Sequence, residues 1–466
     1  MLLKSTFLVV TVFVHICCTV LPAASFSLED ERKLGREFYE KLREKGMLSD
    51  NQRINAFIES VGRKVLAHSG KPVFDFTFSV VNASGINAFA TPGGYVYIFP
   101  GLVKIAENES QIAGVIAHEI AHVNARHIAQ SIEKAQKMNI ATLAAILAGS
   151  FLGGEAAAAV SAFSIATATH MTLKYSRDNE EDADRLGLSY LSKAGYDCRS
   201  VVDFLAIMRR YEYYSSAVPS YFLTHPGTTD RMTYIDGLLA SIYKNRGVSS
   251  IVGGFSRIKT LSILADEDRH GQIRYFEDEL TKNPDDLDAL YGIAFAYESA
   301  GYAEKALEFF KRAAKQAPDD PDILRGLGGA YLKMGDTGTA LLTLQSAYRQ
   351  HPTDPEIMMS LARASERAER HDQAIALYEK LLEIRPEDQT LQYNIAMAYG
   401  KSNRLADSHY YFGLFFKQKG KAKTALFHFK AALEHTPPEN ARFGELQQQI
   451  QSLSKEIPAA RQQPAQ

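Results

Sequence analysis

Ala117-His118-Glu119-Ile120-Ala121-His122, set within Glu109–Lys137, is the stretch on which the reading of the first half of the chain turns. Around it Ile112, Val115, Ile116 and Ile120 recur at helical spacing, and the residues between them are small: Ala113, Gly114, Ala117 and Ala121. The pattern predicts one long helix over Glu109–Lys137, buried on most sides. Positions i and i+4 share a helix face, so His118 and His122 present two imidazoles together in apolar surroundings. Two polar rings on a buried helix need a partner, and a metal ion is the simplest one. Imidazole nitrogens suit zinc, which in a catalytic site takes three protein ligands and a water. Glu119, one step along, is then the base that takes the water's proton and passes it to the leaving amine.

A third ligand is expected from Ser176-Arg177-Asp178-Asn179-Glu180-Glu181-Asp182-Ala183-Asp184, where a helix over Arg177–Ala194 is predicted. Glu180 and Asp184 are again four apart, so one can bind the metal while the other holds a ligand histidine from behind. Glu181 points about 100° away from Glu180 on an ideal helix and fits less well. His127, nine residues after His118, falls about 180° around the same predicted helix and is expected to be structural, on its opposite side.

Outward from this core, helices are predicted over Ser27–Lys45 and Asn51–Leu66, before the hydrophobic period changes. Val73–Val81 and Tyr95–Phe99, rich in β-branched and aromatic residues and separated by Asn82–Asn87 and Pro92-Gly93-Gly94, predict a small antiparallel sheet. Further helices are expected over Tyr196–Tyr214 and Thr229–Tyr243, with Thr224-His225-Pro226-Gly227 as a turn between them. Between Lys137 and Lys174 the only formal charge is Glu155, and Gly153-Gly154 splits an alanine-rich run into two arms, Ile140–Leu152 and Ala156–Ala168. Each arm is short of the roughly 20 apolar residues that a span requires. An apolar hairpin over 139–169 is expected, either buried or exposed as a flap that touches a membrane, a partner or the mouth of the site.

The chain start reads as an export signal: Lys4, an apolar run from Phe7 to Leu21, then Pro22-Ala23-Ala24-Ser25. Residues 1–25 are assigned to it. The 466 residues carry 52 basic and 54 acidic side chains, a net charge of −2 that gives no global field favouring nucleic acid, so no nucleic-acid partner is expected. Three cysteines, two of them Cys17 and Cys18, exclude a disulfide framework and leave Cys198 as a small buried hydrophobe.

Pro284, Pro318, Pro352 and Pro386 lie 34 residues apart, the period of tetratricopeptide repeats. Leu290, Ile293, Ala294, Tyr297, Ala306, Phe310, Ala313 and Pro318 occupy the consensus places of one repeat, and Leu324, Leu327, Gly328, Tyr331, Ala340, Leu344, Ala347 and Pro352 those of the next. Met358, Leu361, Ala362, Ala374, Tyr378 and Leu381 make a weaker third. Beyond Pro386 the register slips by half a period, which one extra helix at Thr390–Lys401 would accommodate before Gly413–Pro437 resume the pattern. Such a solenoid offers a groove for a partner segment. Gly247–Phe255 reads as a linker, and the end of the chain, rich in Gln, Pro and Ala, as a tail.

His118–His122, the segment Ser176–Asp184 and Asn87-Ala88-Phe89-Ala90-Thr91-Pro92-Gly93-Gly94 together resemble the glutamate-zincin metalloprotease family that includes HtpX and the CAAX prenyl proteases. The resemblance implies an α+β zincin-like metalloprotease domain, mostly helical with a small sheet, followed by an all-α tetratricopeptide-repeat solenoid. It implies one Zn(2+) per chain, held by His118, His122 and Glu180, with Asp184 behind the ligands. Residues Asn87, Ala88, Gly94, Tyr95, Val96 and Tyr97 would form the edge strand that pairs an extended substrate. His225 and Arg231 match a segment common in the family, which makes His225 a candidate switch or fourth ligand and Arg231 a candidate transition-state stabiliser. Family members with an export signal and C-terminal repeats work in the periplasm on outer-membrane protein quality control. They cut stalled β-barrel precursors and assist their assembly. Polypeptide substrates, the barrel assembly machinery in the repeat groove and a peripheral membrane contact are the implied partners.

The expected layout is a signal peptide at 1–25, a zinc metalloprotease domain at 26–245, a linker and partial repeat at 246–284, repeats at 285–440 and a tail at 441–466. A chaperone or scaffold with a structural zinc site is the competing reading. Glu119 argues against it, because a structural site has no use for an acid–base carboxylate beside its ligands.

Overall fold

The computed structural model describes residues 26–134, 143–144, 147, 175–214, 220–244 and 247–456. The signal peptide assigned to 1–25, most of the apolar hairpin 139–169 and residues 457–466 of the expected tail lie outside them. The chain divides into two units, Met1–Ala265 and Asp266–Gln466.

The first unit opens with α1 (Leu28–Glu44), started by a capping box between Ser27 and Asp30, and α2 (Gln52–Leu66), capped by the Asn51 side chain. Three short strands follow, β1 (Thr77–Val80), β2 (Ala88–Thr91) and β3 (Tyr95–Ile98), in the spatial order β1-β3-β2. The β2–β3 pair is antiparallel and β1–β3 is parallel. The expectation of an antiparallel sheet is therefore corrected. The connection after β1 crosses the sheet instead of folding back as a hairpin, so β1 lands beside β3. Gly94 completes the tight β2–β3 turn with φ of +95°, and a Cβ there would meet the Asp75 carbonyl oxygen at 2.4 Å.

Alternation along these strands divides two cores. Phe89 and Tyr97 stack on one face and join Phe38 of α1. Ala88, Ala90, Val96 and Ile98 look the other way, into the cluster built on α2 and on α4 (Glu109–Asn124), which follows the short α3 (Pro100–Ile105). The two alanines leave room for α4 to lie close against the sheet. Every residue of α4 from Glu109 to Val123 is buried.

The single helix predicted to Lys137 is interrupted. Here α4 stops at Asn124, Arg126 takes a left-handed φ of +56°, and α5 (His127–Lys134) starts afresh. No glycine or proline marks the break. It is held from outside: Arg126 Nε pairs with the buried Glu31 of α1 at 2.6 Å, and Nη2 donates to the Phe26 carbonyl at 2.7 Å. Within the expected hairpin, residues 143, 144 and 147 are buried in the same cluster as Ile128 and Ile132 of α5.

Four more helices complete the surround: α6 (Arg177–Ala194), α7 (Arg199–Tyr214), α8 (Ser220–Thr224) and α9 (Thr228–Ser241). The α6 backbone comes so close to α4 at Gly187 that a Cβ there would lie 3.2 Å from the His118 nitrogen. Just past α6, Cys198 sits buried with its Sγ 3.6 Å from the Leu188 carbonyl, and burial pushes its thiol up to about 11.

The linker expected at 246–284 is largely structured. Ser250 Oγ and the backbone N–H groups of Ile251, Val252 and Gly253 all donate to the Glu109 carboxylate, as does Tyr196 Oη. A further helix, α10 (Phe255–Leu264), then packs on α2 and α3. Residues up to Ala265 thus belong to the first unit, and Arg269–Lys282 is already a helix of the second.

The second unit stacks helix pairs whose leading members begin at Leu287, Pro321, Pro355 and Gln389, each capped by the aspartate before it: Asp286, Asp320, Asp354 and Asp388. Gln389–Lys401 and Leu405–Gln418 form the fourth pair in step with the earlier ones, so the single extra helix expected at Thr390–Lys401 is corrected to a regular leading member, and Ala422–Glu434 follows. The tail assigned to 441–466 is corrected over its first part. Arg442–Glu456 is a helix that buries Leu446 and Leu453 against Phe429, closing the end of the stack.

Candidate metal centre

The predicted helix-face argument holds at atomic detail. His118 and His122 leave α4 side by side, with their Nε2 atoms 2.9 Å apart, and α6 brings Glu180 to 3.4 Å from each of those nitrogens. His225, just after α8, adds its Nδ1 at 3.1 Å from Glu180 and 3.3 Å from His118. One ligand atom from each of His118, His122, Glu180 and His225 falls within 4.8 Å of the others, and all four residues are buried. Three imidazoles and one carboxylate make a donor set suited to zinc.

Glu119 supplies the second test of that fit. It is fully buried, and neither carboxylate oxygen has a hydrogen-bond partner. An isolated buried carboxylate is costly, and burial pushes this one above its ordinary range. Its Oε1 lies 3.5 Å from His225 Nε2.

Asp184 stands behind the ligands: its Oδ1 is 2.9 Å from His118 Nδ1, the nitrogen facing away from the cluster. Arg231 on α9 grips Asp184 with two parallel bonds, Nε to Oδ2 at 2.8 Å and Nη2 to Oδ1 at 2.7 Å, and its Nη1 is 2.8 Å from Glu180 Oε2. The role expected of Arg231 changes accordingly. Its guanidinium is committed to two carboxylates and so is a clamp, not a group waiting for an oxyanion. Asp184 touches His118 from behind, the place expected of it.

Charge follows this wiring. Burial would raise Glu180, but His225, Arg231 and His118 hold it well below the usual carboxylate range. Asp184 is likewise lowered, with Arg231 outweighing burial. Burial and the neighbouring His118 keep His122 well below an ordinary imidazole, hence neutral. His118 is held up at about 9: burial and Arg231 disfavour its charge, but Asp184 and Glu180 outweigh them. A cation seated among these groups would take the place of that proton.

The strand expectations divide. Gly94, Tyr95, Val96 and Tyr97 lie at or on β3, which is paired on both sides and offers no edge. Ala88 begins β2, which flanks the sheet, and Asn87 stands just before it. Their assignment to one substrate edge is corrected for the β3 residues.

Three aromatic side chains at the site went unforeseen. Tyr175 stacks on His122 at 3.7 Å and Tyr221 on His225 at 4.4 Å. His127, expected on the far side, has its Nδ1 2.9 Å from His122 Nδ1, because the break at Arg126 turns it back. Tyr175 had one signal, its place directly before the Ser176 helix cap. Nothing in the pattern marked Tyr221.

This arrangement, two histidines one turn apart with an acid between them and a glutamate from the next helix, defines a metallopeptidase class. Residues 50–239 match Peptidase family M48, and residues 265–330 and 325–389 match tetratricopeptide repeats. The chain thus carries an M48 peptidase domain followed by repeats. It is similar to a putative beta-barrel assembly-enhancing protease of Vibrio cholerae serotype O1, 36% identical over 45% of this chain and 44% of the relative. It is also similar to the beta-barrel assembly-enhancing protease of Escherichia coli K12, 31% identical over 45% and 44%. The mitochondrial metalloendopeptidase OMA1 of Schizosaccharomyces pombe matches at 29% identity over 48% of this chain and 65% of the relative. The chain spans about half the length of the beta-barrel assembly-enhancing proteases it matches.

Proposed function

We propose that the chain is a periplasmic zinc metalloendopeptidase, exported by removal of 1–25, that cleaves misfolded or stalled outer-membrane β-barrel precursors and assists their assembly. The observation that carries the peptidase reading is Glu119, a buried carboxylate with no hydrogen-bond partner beside three imidazoles and Glu180. The substrate class rests on the likeness to the beta-barrel assembly-enhancing proteases.

Zinc bound by His118, His122 and Glu180 would supply an acidified water, with a pKa of roughly 7, and a polarised peptide carbonyl. Glu119 takes one proton as the water oxygen attacks the carbonyl carbon. It then gives that proton to the amide nitrogen as the carbon–nitrogen bond breaks, leaving a carboxylic acid and an amine, and the acid's proton passes to the amine or to solvent. Its raised pKa suits a group that must hold the proton between the two steps. Asp184 and Arg231 keep the His118 ring and Glu180 from turning. An extended substrate strand would align along β2, led by Asn87 and Ala88, because β3 is occupied on both sides. The repeats would recruit a partner such as the barrel assembly machinery.

His225 takes the remaining place in the donor set and approaches Glu119 at 3.5 Å, which supports a latched resting state. The test is zinc content together with cleavage of casein and of an unfolded barrel protein, for the wild type, Glu119→Gln and His225→Ala. We expect one zinc per chain in the wild type and in Glu119→Gln, with cleavage lost only in the latter. His225→Ala should cleave faster than the wild type; an unchanged or lower rate sinks the latch. Absence of zinc from the wild type sinks the metallopeptidase.

A further inference from the structure

The two histidines of α4 are supported differently from behind. His118 meets a carboxylate directly, through Asp184. His122 meets another histidine: its Nδ1 is 2.9 Å from His127 Nδ1, both rings are buried, and His127 Nε2 lies 3.5 Å from Asp182 Oδ2. Asp182 is held in turn by Arg185.

Two nitrogens at 2.9 Å cannot both carry a proton, nor can both lack one, without losing the bond. His122 Nε2 faces Glu180 and His118, so its lone pair is the one available to a metal, and its proton sits on Nδ1. His122 is then the donor and His127 Nδ1 the acceptor, which puts the proton of His127 on Nε2, towards Asp182.

We propose that His127 is a positioning residue for the metal centre: with Asp182 behind it, His127 fixes the ring and tautomer of His122 and so holds its Nε2 ready for the metal. This inference rests on reading the centre as a zinc site. It also accounts for the left-handed Arg126. A non-glycine residue at φ of +56° is strained, and here the strain is what turns the chain so that His127 folds back onto the ring five residues before it. Glu31 and the Phe26 carbonyl hold Arg126 in that state, so α1 contributes to the site without touching it. A continuous helix would have carried His127 away from the metal.

The test uses the full chain and measures zinc affinity by competition with a chromophoric chelator, the visible absorption of the Co(II)-substituted protein, and the thermal midpoint of the metal-free protein. His127→Ala should bind zinc about 10- to 100-fold more weakly, the usual cost of losing such a partner, and should shift the cobalt spectrum. His127→Asn, whose amide oxygen can accept from His122 Nδ1, should recover most of the affinity and the spectrum. The metal-free midpoints of the two variants should agree. Wild-type affinity in His127→Ala overturns the proposal. So does an Asn variant no better than Ala, which would make His127 a packing residue. A wild type that binds no zinc overturns the zinc reading itself, and this inference with it.

Discussion

Arg231 shows how a single side chain sets the character of the site. It lies among Asp184, Glu180 and His118, all buried, and its guanidinium neutralises two carboxylates that no solvent reaches. Removing one partner of such a group leaves uncompensated charge behind, which costs roughly 3–5 kcal/mol, whereas surface pairs are worth far less. Arg231→Met should therefore lower the unfolding free energy by about that amount in urea titrations; a loss below about 1 kcal/mol would show that the acids find other support. At this scale the sequence was legible wherever a role depended on helical spacing. His118, Glu119 and His122 follow from one turn of helix, and Glu180 with Asp184 from another. His127 was illegible because its place depends on a break that Ala125-Arg126 do not encode alone. That break needs Glu31, 95 residues earlier in the chain.

Between elements, the most informative contact is the strap over the start of α4. Glu109 opens that helix, is fully buried, and collects three backbone N–H groups and two hydroxyls from 250–253 and Tyr196. Burial alone would raise its pKa; the Ser250, Val252, Ile251 and Tyr196 hydrogen bonds outweigh it and bring the value below 4.5. A group lowered in the folded state stabilises above its unfolded pKa, and that contribution is lost as pH falls through the folded value. Wild-type stability should accordingly drop on acidification below about pH 4.5, in part through Glu109. Glu109→Gln should cost roughly 1–3 kcal/mol at pH 7 and flatten that part of the curve. Urea midpoints between pH 7 and pH 3 measure both effects, and parallel curves for the two proteins would refute the assignment. The Gly and Ser content of 247–255 suggested a free linker because composition reports what a segment can do alone, not which carboxylate awaits its amides. Strand order was hidden for a similar reason. Alternation in Tyr95–Phe99 identifies a strand, but its neighbours are decided by how the chain crosses between β1 and β2.

For the whole molecule, the two-part architecture was open to reading because each part announces itself by a period: 3.6 residues around the metal-binding helix and 34 along the repeats. The closing helix Arg442–Glu456 escaped because its apolar residues are sparse, Phe443, Leu446, Ile450 and Leu453 with glutamines between them, and the spacing of the last three has meaning only once Phe429 is there to receive them. Cys198 provides a means of watching the first unit at work. Its thiol is the sole one among the described residues, is buried against the Leu188 carbonyl of α6, and is raised to about 11, so in the closed fold it is both shielded and protonated. A soluble alkylating reagent meets a reactive thiolate there only when α6, the bearer of Glu180 and Asp184, lifts from its seat. The labelling rate is thus a clock for the opening of the metal-binding scaffold, readable by mass alone and without introducing any probe.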